Sequence, residues 1–235
     1  MRESARYARG IPLLLACTLA GCTGTFGERV REQFHQSVPV TGSPVVHVDN
    51  IAGAVRVDAW DKPAVDVQAT KYGYDAAELR RVTIAIHTEG NGIFIATTYA
   101  GGARHGGVRY TISVPANSAL QISNVAGLVA IGGVRGDVNV ETQAGAIAAD
   151  VGRVDGGRSI DLSATTGAIA LSIAPGSSAS VEAQSVVGAF SSDVPGLSET
   201  RDHLVGSRAT GKIGAGAARI RLNTTTGAIA VRERS

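Results

Sequence analysis

The chain has 235 residues with 22 basic and 20 acidic side chains, a balance that leaves no basic footprint for nucleic acid. It is 44% hydrophobic but only 4% aromatic, and it carries 30 glycines. A core must therefore be built from Val, Ile, Leu and Ala, and small aliphatic residues broken by frequent glycine suit short strands and tight turns better than helices.

The first segment reads as an export signal. Arg2, Arg6 and Arg9 precede an apolar run from Ile11 to Ala20, shorter than the roughly 20 residues a membrane-spanning helix needs. Leu19-Ala20-Gly21-Cys22 resembles the lipobox of bacterial lipoproteins at every position. That resemblance implies cleavage before Cys22, a diacylglycerol thioether on its sulfur and an acylated new amino terminus. Several acyl chains hold a protein to a membrane far more firmly than one. The alternative is an ordinary cleaved signal beside a chance cysteine. Thr23, where an inner-membrane lipoprotein would carry Asp, favours the outer membrane by resemblance to the sorting rule of two-membrane bacteria. Residues 1–21 hold three of the basic side chains and one of the acidic ones, so nineteen of each remain without them. Cys17 falls inside the signal and Cys22 is the lipid site, which leaves no cysteine for a disulfide.

Residues 22–43 read as a lipidated tether with an edge strand around Val30 to Val38, and residues 44–235 as one domain. Within it, Asp75 to Arg81 suits one or two helical turns. The alternating stretches Val82 to His87 and Ile93 to Tyr99 flank Glu89-Gly-Asn-Gly92, a hairpin signal. Residues 44–114 are expected to form wider units and a hairpin covering the first edge of the sheet, since open β edges invite aggregation. Residues 115–235 are expected to be regular repeats.

The repeat is visible around six glycines, Gly53, Gly127, Gly145, Gly167, Gly188 and Gly227. Aliphatic residues stand seven and five positions before most of them and two and four after, as Ile160, Leu162, Ile169 and Leu171 do around Gly167. Apolar residues two apart point one side of a strand inward, and glycine turns the backbone through a corner. The steps between glycines from Gly127 to Gly188 are 18, 22 and 21 residues, and the last is 39, which leaves room for a weaker unit at Thr210-Gly211-Lys212-Ile213. Periods near 20 mark a solenoid whose units bury their faces against neighbours. The expectation is an all-β, single-domain β-solenoid, a parallel β-helix-like coil with a hairpin-containing N-terminal cap. The sequence TTGAIA, at 165–170 and again at 225–230, would be one corner of that coil repeated three rungs later.

Taken together, Asn50-Ile-Ala-Gly-Ala-Val-Arg-Val57 with Trp60-Asp61, Ser113-Val-Pro-Ala116, the recurrent Gly-x-Ile corners and Gly211-Lys-Ile-Gly-Ala-Gly216 resemble the putative-adhesin domains of unknown function in bacterial envelope proteins. The resemblance spans nearly the whole chain after the signal. It implies a mostly-β, solenoid-like fold in an envelope setting and brings no catalytic residues.

Catalytic motifs are weak. Gly206-Ser-Arg-Ala-Thr-Gly-Lys212 begins like a phosphate-binding loop, but Ile213 stands where Ser or Thr would hold the metal. His35, His47, His87, His105 and His203 lack ligand spacing, although His87 and His105 approach each other in one reading of the hairpin region. No cofactor and no metal are expected. Six residues before the glycines lie His47, Gln121, Asn139, Asp161, Glu182 and Arg221, polar and outward by alternation. Asp161 and Glu182 on adjacent rungs would sit about 4.8 Å apart, a separation usable by a retaining glycosidase or for holding a cation. No aromatic residue is expected beside them, so a solvated face is the simpler reading.

The opposite outward positions hold Ala146, Ala148, Ala168, Ala170, Ala228 and Ala230. Such a carpet of methyl groups is either a docking face, a sheet covered by another layer, or the mark of an alanine-rich genome. The sequence as a whole points to a non-enzymatic, lipid-anchored envelope module that binds or builds structure, with an envelope protein or glycan as partner and self-association open. The alternatives are a polysaccharide-active enzyme using Asp161 and Glu182, and a self-assembling scaffold.

Overall fold

The computed structural model describes residues 30–102, 106–201 and 206–234. The export signal and Cys22 lie outside them, as do His105 and His203. Nearly every element is a strand, and the strands form two mixed sheets, one of nine and one of ten.

Each expected glycine joins a strand of the larger sheet to one of the smaller. The pairs are β2 (Val45–Ala52) with β3 (Val55–Trp60), β8 (Ala119–Ala126) with β9 (Val129–Gly132), and β10 (Val138–Ala144) with β11 (Ile147–Asp150). They continue with β12 (Ser159–Thr166) and β13 (Ile169–Ile173), β14 (Ala179–Val187) and β15 (Phe190–Ser192), and β18 (Ala218–Thr226) and β19 (Ile229–Glu233). Neighbouring units pair in parallel with the glycine-aligned register: Val138 faces Ile160 in one sheet, and Ile147 faces Ile169 in the other. The inward aliphatics are almost fully buried between the sheets, with Ile160, Leu171, Ile220 and Leu222 at 0–1% exposure.

The corner explains the glycine. At Gly167, φ is +148° and a Cβ would overlap the carbonyl oxygen of Gly145 in the next unit. The Gly167 N–H in turn donates to Thr226 O of the unit on its other side at 2.8 Å. The corners are stacked so closely that no side chain fits between them.

The spatial order departs from the chain order. The smaller sheet runs β3, β9, β11, β13, β19, β15 through these units, so the unit of Gly227 is inserted between those of Gly167 and Gly188. The two TTGAIA copies are therefore immediate neighbours, not three rungs apart, and Thr166 faces Thr226. The expected weaker unit at 210–213 is not a unit either. β17 (Ser207–Ile213) runs antiparallel along the free side of β14, and β16 (Leu197–Arg201) pairs antiparallel with it, forming a hairpin cap. Two physical reasons favour the insertion. Arg221 comes to lie between Asp161 and Glu182, where direct stacking would oppose like charges. The three-residue β15, with polar Ser191 and Ser192 exposed, becomes an edge, the place for a very short strand.

The other end is capped on both sheets. β6 (Gly92–Tyr99) and β7 (Gly106–Pro115) stack in parallel on β2 and β3. Antiparallel strands then close each sheet: β5 (Val82–Glu89) outside β6, and β4 (Ala64–Gly73) followed by β1 (Val30–Pro39) outside β7. The helix α1 (Ala76–Arg80) bridges β4 and β5, and the carboxylate of Asp75 accepts from the Glu78 N–H at its first turn.

Two polar devices hold the interior. Three residues before the corner, Asn124 and Thr224 donate to the corner carbonyls of Gly53 and Gly167, and Ser185 donates to that of Gly227 at 2.9 Å. Asn50 donates to Asn124 Oδ1 at 3.0 Å and accepts from Thr97, whose hydroxyl also meets the buried Tyr110 hydroxyl. On the side where the chain returns from one sheet to the other, the buried Arg158 guanidinium donates to the carbonyls of Gly136, Val151 and Val134 at 2.6–3.0 Å. Burial lowers its pKa from the ordinary guanidinium value, against the opposing pull of Asp137 and Asp155.

Candidate binding faces

The outer faces of the two sheets are chemically opposite. On the smaller sheet the expected alanines fall in register on neighbouring strands: Ala148 beside Ala170, and Ala170 beside Ala230. Ala148, Ala168, Ala170 and Ala228 are exposed, and Ala146 and Ala230 are half-buried. Among the described residues no further layer covers this face. Between the Arg56–Asp58 ion pair and Asp150 the alanine floor forms a shallow depression of about 350 Å3. Arg234 pairs with Asp150 at 2.8 Å on its far side. Toward β1 the same face turns polar, with His35 bonded to Asp66 at 2.8 Å. Burial pushes the Asp66 carboxyl up, but the bonds from His35 and Gln68 leave it below the usual range.

On the larger sheet the outward column runs His47, Gln121, Asn139, Asp161, Arg221, Glu182 across successive strands. Asp161 and Glu182 are thus not on adjacent strands. Arg221 separates them, its Nη1 lying 4.0 Å from Asp161 Oδ1, while Glu182 is paired with Arg208 of β17 at 3.2 Å. The carboxylate pair expected of a β-helix glycosidase is not assembled. Among the described residues, no three His, Cys, Asp or Glu side chains gather in a metal-binding group.

Aromatic rings border the far end of this column, beside His47 and not beside Asp161 or Glu182. Phe94 lies between His47 and His87, with ring centroids 4.3 and 4.8 Å apart and planes within 7° of parallel. His87 therefore meets Phe94, and its supposed partner His105 lies outside the described residues. The signal was legible in principle, since Phe94 alternates with the buried Ile93 and Ile95. Only the pairing of β6 beside β2 brings it to His47.

Residues 103–232, more than half of the chain, match the Toastrack DUF4097 family. The chain belongs to that family. A search of curated proteins found no match. Among solved structures, the Toastrack chain is similar to one described as a "putative cell adhesion protein" from Clostridium sporogenes, with a TM-score of 0.61 and 9% identity over 87% of this chain and all of the other. At that identity the likeness is one of fold. A "putative adhesin" from Bacteroides fragilis aligns over 86% of this chain and 97% of its own at 10% identity, with a TM-score of 0.33. No helix among the described residues of this Toastrack chain is long and apolar enough to cross a membrane.

Proposed function

We propose that this protein is a non-enzymatic, adhesin-like binding module, exported and held to the outer membrane by acyl chains on Cys22. Its two sheets are read as the walls of one β-solenoid coil, supported by the equal parallel registers on both sides of every corner. The alanine face carries the reading. Six alanines in three adjacent units, three on the strands and three at the corners before them, make a flat apolar strip with four of them exposed, on a surface otherwise well supplied with charge. Such patches tend to mark interaction sites. Methyl groups also let a second flat surface approach closely and lose no rotamer entropy when it does. The partner is a flat-faced envelope protein or a second copy of this chain.

The double variant Ala148→Glu with Ala170→Glu tests it. Both sites are exposed, so the variant should fold with a melting temperature within a few degrees of the parent. It should no longer recover the partner, or form the dimer, in crosslinked envelopes. A stable variant that keeps every interaction overturns the docking role.

The anchor has its own test. Cys22→Ser should remain uncleaved by the lipoprotein signal peptidase and take up no palmitate analogue, whereas the parent is labelled. Equal labelling of both proteins overturns the lipid assignment.

A further inference from the structure

The polar face of the larger sheet has a pattern that general solubility does not require. Two of its carboxylates have cationic neighbours: Asp161 lies near Arg221, and Glu182 pairs with Arg208. Glu141, exposed on β10 and lining the same depression, has no ion pair among the described residues, and its charge disfavours an anionic ligand. Most of the other outward groups are neutral. The side-chain amides of Gln121, Asn139, Asn223 and Gln184 are exposed, and none has a hydrogen-bond partner among the described residues. They stand on β8, β10, β18 and β14, in two neighbouring rows with strands about 4.8 Å apart. A depression of about 580 Å3 runs across four of the strands, lined by Gln121, Asn139, Asp161, Arg221 and Asn223. Its row continues past Gln121 to His47 and the ring stack on Phe94.

We infer that this face binds an uncharged, extended, acetamide-bearing glycan laid across the strands. The inference rests on the reading of the protein as a binding module but places the glycan on the face opposite the alanines. Each amide offers both a donor and an acceptor, which matches hydroxyl and acetamide groups and has no preference for an ion. Repetition of polar groups at the strand spacing suits a polymer that presents the same groups at each residue. A peptide is a poorer fit, because the depression lies across central strands, away from the sheet edges at β16 and β5, and offers no alternating apolar pockets. The ring stack gives a terminal sugar an apolar edge to rest against.

The experiment is calorimetric titration of the purified protein with β-1,4-linked N-acetylglucosamine oligomers from the disaccharide to the hexasaccharide. Glucose oligomers of the same linkage serve as the control for the acetamide. Affinity should rise with each sugar until the row of strands is spanned, and the glucose series should bind more weakly. The exposed double variant Gln121→Ala with Asn139→Ala should melt like the parent and lose about tenfold in affinity for the longest oligomer, as expected for two lost hydrogen bonds. The Ala148→Glu, Ala170→Glu variant should bind the sugars unchanged, so failure of the docking role and failure of this site are separable. Absence of binding, affinity independent of length, or full affinity in the Gln121/Asn139 variant overturns the proposal. Equal binding of the glucose series overturns the acetamide assignment.

Discussion

Gly167→Ala is expected to unfold the domain or come close to it, while Gly176→Ala leaves it standing. Both glycines have positive φ, +148° and +75°. Around Gly176 no atom lies within 4 Å of an added Cβ, so the cost there is backbone strain alone, about 1 kcal/mol. At Gly167 the added carbon overlaps the Gly145 carbonyl, which is backbone in a stacked corner and cannot rotate aside. Moving it means separating the units of Gly145 and Gly167 along their full width, including the ladders that pair Val138 with Ile160 and Ile147 with Ile169. A loss of about 4 kcal/mol or more follows, against a total stability of only about 5–15 kcal/mol. Thermal melts of the two variants decide it. A Gly167→Ala protein melting within a few degrees of Gly176→Ala would show that the corners are looser than their geometry.

Arg158→Met is expected to destabilise the domain by about 3–5 kcal/mol. The methionine keeps much of the apolar stem and the volume, so the loss reports mainly on hydrogen bonding. Three carbonyls, from Gly136, Val151 and Val134, depend on one guanidinium that is 8% exposed. A buried acceptor left without a partner costs about 1–3 kcal/mol. Arg158→Lys should fall between parent and methionine, because one ammonium keeps the charge but cannot reproduce the planar fork. Denaturant unfolding of the three proteins gives the order directly, and a methionine variant as stable as the parent would show that water satisfies those carbonyls. Val134, Val151 and Arg158 all lie in connections between the sheets. The clasp therefore sets the spacing of the sheets between the units of Gly127 and Gly167, and with it the flatness of both outer faces.

Much of the candidate site was legible because strand alternation is local. Ala148 and Ala170 are outward because Ile147, Ala149, Ile169 and Leu171 are inward, and no distant contact is needed to know it. The inner polar column was missed for the opposite reason. Asn124 and Thr224 sit at inward positions where a polar residue looks like an error, until the stacked corner offers each a carbonyl to bond. Phe94 likewise reads as a stray exposed aromatic until β6 lies beside β2.

The sequence by itself determined the strands, their inward faces and the need for glycine at each corner, since these follow from side-chain period and backbone sterics within some twenty residues. The order of the units was decided only by the tertiary structure. A chain of similar units can stack in more than one order, because each aliphatic stripe fits every other about equally well. The choice fell to features sixty residues apart in sequence. Arg221 keeps Asp161 and Glu182 off adjacent strands, short β15 is suited to an edge, and the β16–β17 hairpin covers the side of β14 that the inserted unit leaves free. That order removed a plausible catalytic pair and brought the two TTGAIA corners together. It also set the amides of Asn223 and Gln184 on adjacent strands of one wet face.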